Sequence, residues 1–258
     1  MQYCSDGGDD TRRCRLLSCF DGHTSLDEPA SEHHEVAVDT DSVVAVIPPG
    51  RRAAAIVFAL GATAGLPLLL YLGRRQWFFF DEWAIFLRRL DFNANSLLRP
   101  HNDHLIAFPV LVYQALWAVF GLRTYVPYQL VVIVLHLVSL TLLRVIARRA
   151  GASPWIATTT ALAFVAFGAG RQDILWAFQM TLTGSLAFGL AHLVCADHDG
   201  PIDRRDLAGI CFGFLAITSS GLGVLLTALV AGIVLARRGW KAALLHAGPL
   251  ALTYGAWL

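Results

Sequence analysis

The chain has 258 residues, 56% of them apolar and 15% charged, with a mean hydropathy of +0.56. Soluble domains are usually near a quarter charged, so this composition excludes a large soluble core. The net charge of +1 hides a split: residues 1–50 hold ten acids and three arginines, whereas residues 51–258 hold seventeen bases and nine acids.

Residues 1–50 are polar, acidic and rich in Ser, Gly and Asp, without helical periodicity, and predict a disordered tail. No cleavable signal peptide is read there. Cys4, Cys14 and Cys19 match no zinc spacing, and with His23, His33 and His34 nearby the bland reading is free thiols in a tail rather than a metal site. From 51 on, long apolar runs recur, each able to cross about 30 Å of hydrocarbon at ~1.5 Å per residue. The expected fold is all-α: a polytopic helical membrane protein with about 6–7 transmembrane helices, a transmembrane module over 51–258 and an outer loop over 73–125. The arginines are spread over loop ends, as beside anionic lipid, and argue against a nucleic-acid partner.

Arg51-Arg52 introduces the first span, 53–72, with an N-inside start, which places 77–104 outside. Within that outer segment Trp83, Phe86, Leu87 and Leu90 fall at i, i+3, i+4 and i+7, with Arg88 and Arg89 facing away, an interfacial-helix pattern. The stretch 105–121 is apolar enough to span but has Pro109 and Gln114 inside; it either crosses or lies along the outer surface. The positive-inside tendency favours the second option, which puts Arg144, Arg148, Arg149, Arg204 and Arg205 inside and Arg171-Gln172-Asp173 on the side of Asp81. Further spans are read at 126–147, 154–170, 174–195, 207–236 and from 242. The 196–206 loop reads as a solvated turn. The 207–236 run is one tilted helix or two short ones breaking at Thr218-Ser219-Ser220-Gly221-Leu222-Gly223. The chain stops inside an apolar segment, which suggests an open reading frame truncated at its C-terminus.

Three clusters carry candidate chemistry. Asp81 and Glu82 either balance the nearby Arg74, Arg75 and Arg88 or supply a carboxylate that accepts a proton from a hydroxyl. His101, Asp103 and His104 either bind a divalent cation, orient a phosphate, or form a polar cap on the helix that follows. Arg171, Gln172 and Asp173 form a tight hairpin or a site in which Arg171 binds phosphate and Asp173 a sugar hydroxyl or metal; Gln179 and Trp176 follow. His136 reads as a packed, hydrogen-bonded histidine, and Arg144 as one that snorkels to the inner surface.

An acidic pair in Phe80-Asp81-Glu82-Trp83 after the first span, then Pro100-His101 and His104 before an apolar helix ending Phe120-Gly121, then Arg123 and a span, resembles the GT-C superfamily of membrane glycosyltransferases. The likeness is to protein and lipid mannosyl- or arabinosyltransferases and covers residues 50–258, their N-terminal membrane module. It implies a polyprenyl-phosphate sugar donor, an extracytoplasmic acceptor, a cell-membrane location, Asp81 as catalytic base and Asp173 near a second acid. His101 is followed by Asn-Asp where the family commonly has a proline pair. The rivals are a transporter- or flippase-like membrane protein without enzymatic activity, and an inactive fragment of such a transferase.

Overall fold

The computed structural model describes residues 49–258; the cysteine and histidine positions discussed for the tail lie outside them. Among the described residues there are eleven α-helices and no strand: α1 (Pro49–Leu72), α2 (Asp81–Arg88), α3 (Ala94–Leu98), α4 (Ala107–Phe120), α5 (Val126–Arg149), α6 (Pro154–Ala163), α7 (Arg171–Leu175), α8 (Met180–Ala196), α9 (Arg204–Ile217), α10 (Leu222–Arg238) and α11 (Trp240–Trp257). Three segments are long and apolar enough to cross a membrane: Gly50–Leu72, Val126–Arg149 and Ala177–Ala196. The expected six or seven spans are not reached on this measure, because α6, α9 and α10 have only 10, 14 and 17 residues.

Polar contacts sort the helix ends into two groups. At one end, here the base, Arg149 on α5 donates to the carbonyls of Val194 (2.6 Å) and Asp197 (3.2 Å) at the end of α8. Arg238 on α10 donates to Ala196 O at 3.1 Å, and Thr158 on α6 donates to Ala54 O on α1 at 3.2 Å. Cations at helix C-termini satisfy the last carbonyls and oppose the helix dipole. At the other end, here the site end, the Gln129 amide on α5 donates to Gly73 O (3.3 Å) after α1 and Leu175 O (3.0 Å) on α7. Phe108 N donates to Thr218 O after α9 (3.0 Å), and Trp257 Nε1 on α11 to Leu98 O (2.6 Å).

Helix α4 does not run between these ends. Phe108 near its start meets the end of α9, and Gly121 after its last residue accepts from Tyr128 at the start of α5. Both termini lie at the site end, in line with the surface-lying alternative for 105–121. The 207–236 run is two helices. Alpha-9 stops at Ile217, Thr218 and Ser219 turn their hydroxyls onto the Phe214 and Leu215 carbonyls, and α10 starts at Leu222. A Cβ at Gly223 would overlap the Ala216 carbonyl and the Ile217 amide, backbone atoms that cannot rotate away. Gly223→Ala is therefore expected to cost about 1–3 kcal/mol, read as a lowered unfolding temperature of the full chain in detergent.

The aromatic core gathers under the site end. Phe78 meets Phe86, Tyr125 and Tyr128 edge-on at centroid distances of 5.0, 4.9 and 5.0 Å, the arrangement favoured by aromatic quadrupoles. His136 bonds Phe164 O at 3.0 Å, as expected of a packed histidine. Arg144 donates from Nε to Thr158 Oγ1 at 2.9 Å, with its guanidinium over the Phe58 ring.

Candidate functional site

Helix α2 leaves Trp83 and Leu87 open, as an interfacial face requires, but turns Phe86 and a second, polar face inward. Its buried stripe is Glu82, Ile85, Phe86 and Arg89, while Trp83 is 41% and Leu87 77% exposed. Arg89, expected to face away, is 3% exposed. The physical reason is that Glu82 and Arg89 have hydrogen-bond partners waiting inside.

Glu82 is fully enclosed. Its Oε1 accepts from the Tyr113 hydroxyl (2.6 Å) and the Tyr125 hydroxyl (3.1 Å); its Oε2 accepts from Trp176 Nε1 (3.0 Å) and Phe79 N (2.7 Å). One carboxylate thus joins α2, α4, the start of α5 and the segment after α7, and Tyr125 in turn accepts from Ala177 N at 2.8 Å. Burial pushes the Glu82 carboxyl above its ordinary range, and the four donors hold it back. Burial and the neighbouring Glu82 push the Tyr125 hydroxyl up. With every carboxylate oxygen occupied, Glu82 has the geometry of a joint.

Asp81, by contrast, opens outward. Its Oδ1 lies 3.6 Å from His101 Nε2, with side-chain exposures of 23% and 12%. That nitrogen is buried and has no hydrogen-bond partner. Phe178 packs against the imidazole at 5.2 Å. Burial lowers the His101 pKa, Asp81 opposes the shift and Arg89 adds to it. Arg89 fixes the approach to the histidine, donating from Nη1 to Arg99 O (2.9 Å) and from Nη2 to Pro100 O (2.8 Å).

The segment His101-Asn102-Asp103-His104 is a tight turn rather than a helix cap. His101 and His104 exchange backbone hydrogen bonds of 3.0 Å, and Asn102 and Asp103 both take positive φ, 48° and 61°. This is the pattern of a type I′ turn, for which Asn and Asp are well suited and proline is not. Helix α4 starts later, with Ile106 at its N-cap and no side-chain cap. Asp103 is exposed, and His104 lies against Gly221 rather than beside His101's ring partners. The two histidines belong to no cluster of three metal-type ligands among the described residues.

Arg171 and Gln172 lie where two cavities adjoin. An apolar groove of about 330 Å³ is lined by Leu69, Leu72, Phe167 and Ile174, among others. A more polar cleft of about 570 Å³ is lined by Gln76, Phe79, Gln172 and Trp176. Arg171 and Leu175 line both. Asp173 is exposed in the first turn of α7 and lines neither. Arg74 is turned back onto Tyr71, donating to its carbonyl at 2.7 Å and stacking on its ring.

The base holds a second polar cluster not anticipated from the sequence, which read 196–206 as a solvated turn. Asp206 is buried at the start of α9, completing a capping box with Asp203 and pairing with Arg238. It accepts from His246 Nε2 at 2.8 Å, and His246 Nδ1 lies 3.0 Å from His192 Nε2; both histidines are buried. Burial alone would raise the Asp206 pKa, but the Arg238, Asp203 N and His246 hydrogen bonds together hold it well below the usual carboxylate range. His198, Asp203 and Asp206 bring ligand-type atoms within 4.8 Å of one another, yet Arg238 engages both Asp206 oxygens, so the group is an ion-pair network. Two histidines inside apolar helices were the available signal, since a polar ring there needs a partner. The chain matches no family model, no curated protein and no solved structure.

Proposed function

We propose that this protein transfers a sugar from a polyprenyl-phosphate donor to an acceptor hydroxyl outside the cell membrane in which it is a multi-pass component. The observation that carries the reading is the pair of adjoining cavities. An apolar groove suits the first isoprene units, a polar cleft suits a sugar, and Arg171, shared by both, suits the phosphate between them. Asp81 stands two residues from Phe79 in the cleft wall, with a carboxylate free to act as base. The acceptor O–H bond breaks and its proton passes to Asp81. The acceptor oxygen bonds the anomeric carbon as the carbon–oxygen bond to phosphate breaks, and the electron pair leaves with the lipid phosphate. Arg171 neutralises that developing charge, commonly the largest catalytic contribution. A divalent cation beside the phosphate would serve the same end.

The test is sugar transfer in washed membranes supplied with labelled polyprenyl-phosphate mannose or arabinose. Asp81→Asn is expected to lower transfer by about 10²–10⁴-fold, the usual worth of a general base, without lowering the unfolding temperature. Transfer at the wild-type rate would overturn the assignment. A transporter-like module without enzymatic activity is the second reading, favoured by the buried Asp206–His246–His192 chain, because ionisable groups inside helix bundles commonly mark translocation paths.

A further inference from the structure

Among the described residues, three non-glycine residues have positive φ: Phe80, Asn102 and Asp103. All three flank one pair of side chains. Phe80 precedes Asp81, and Asn102 and Asp103 follow His101 in its turn. Backbone strain clusters where a structure over-determines the position of a working side chain. Two further observations fall on the same pair. Arg89, a buried guanidinium, is used to pin the Arg99 and Pro100 carbonyls that lead into His101. His101 Nε2 is buried without a partner, although Asp81 Oδ1 is only 3.6 Å away. A buried polar atom left open in this way calls for an explanation, and a missing ligand atom is one.

We infer that Asp81 and His101 are two arms of one seat for a hydroxyl, with His101 Nε2–H donating to the hydroxyl oxygen while Asp81 accepts its hydrogen. At 3.6 Å the two atoms are too far apart for a direct hydrogen bond, and one oxygen about 2.8 Å from each would bridge them once the side chains closing over Nε2 part to admit it. A hydroxyl offers one hydrogen and two lone pairs, so it can satisfy both arms and keep one lone pair for attack. The ring is held for this by Phe178, tilted against it at 5.2 Å, and by the turn that carries it. His101 is thereby a residue that orients the acceptor, not a ligand of the donor phosphate. The inference rests on the transferase reading for the identity of the hydroxyl but not for the geometry of the seat.

The seat requires a neutral His101 ring with its hydrogen on Nε2. The full chain, labelled with 15N-histidine and placed in lipid nanodiscs at neutral pH, reports this by nitrogen chemical shift. His101 is assigned by the resonance lost in His101→Gln, or in His101→Asn should the first variant not fold. The Nε2–H tautomer is expected; a bare Nε2 with hydrogen on Nδ1, or an imidazolium, overturns the seat. In the membrane assay, His101→Gln, which keeps an N–H donor on a side chain of similar reach, is expected to retain transfer within about tenfold, and His101→Phe to lose about a hundredfold. Equal activity of the Phe and Gln variants also overturns the seat. Absence of sugar transfer by the wild-type chain instead removes the transferase reading, whatever the tautomer.

Discussion

Glu82→Ala should be the most damaging single substitution at the site end. It strips the acceptor from Tyr113, Tyr125, Trp176 and Phe79 N at once, all within a closed core. Each unsatisfied buried donor costs about 1–3 kcal/mol, so the loss is at least about 3 kcal/mol after relaxation, enough to abolish a stably folded chain in detergent. Glu82→Gln keeps the shape but offers one acceptor oxygen where there were two, turning an amide group toward donors. It also isolates the titration. The folded-state pKa of Glu82 is raised, so its contribution is fully present below its unfolded value near 4.5 and is lost as pH rises through the folded value. The unfolding-temperature difference between wild type and Glu82→Gln should therefore widen in favour of wild type as pH is lowered from 8 toward 4.5. A pH-independent difference would show that the carboxyl is not protonated in the folded chain over that range.

At the base, Asp206→Asn is expected to be nearly as costly, with the opposite pH signature. Asp206 faces Arg238, His246 and His198, and the neutral amide leaves a buried guanidinium without its counter-charge. Breaking one side of a buried pair costs about 3–5 kcal/mol. Because the folded-state pKa of Asp206 is depressed, its contribution is present above the unfolded carboxylate pKa and declines only as pH falls below it. Wild type and Asp206→Asn should thus differ by a constant margin from neutral pH down to about 5 and converge in stronger acid. Thermal unfolding followed by intrinsic tryptophan fluorescence measures both margins.

These two residues also show where local sequence pattern suffices and where it does not. The break after α9 was legible because Thr218, Ser219, Ser220 and two glycines favour turns by short-range chemistry alone. For α4 the arginine positions favour a surface-lying course, and both its ends meet the site end of the bundle. The burial of Glu82 and Arg89 on α2 was not legible, because their partners at Tyr113, Tyr125, Trp176, Arg99 and Pro100 lie up to 94 residues away. Periodicity counts apolar side chains and cannot see a carboxylate whose donors arrive later in the chain. Asp81 and His101 were both singled out from the sequence, but their approach depends on a turn that needs positive φ at Asn102 and Asp103, and on Arg89 holding the Arg99-Pro100 segment before it. Asp173 and His104 were singled out by the same reasoning and take no part in that pair. His192 and His246 drew no notice, since their 54-residue separation hides a contact of 3.0 Å.

The crosswise course of α4 has a consequence for biogenesis. An apolar segment of this kind, emerging from the ribosome, competes for entry into the translocon, and if it stayed there every later helix would be threaded in reverse. Polar groups on its inner face tie it down across the bundle end: Tyr113, bonded to Glu82, and Gln114, bonded to the carbonyls of Arg89 and Asp91. Both sets of partners lie in α2 and just after it, so they are synthesised first and are ready when α4 arrives. How α4 comes to rest against α2 is thereby fixed by two side chains whose partners precede it in the chain.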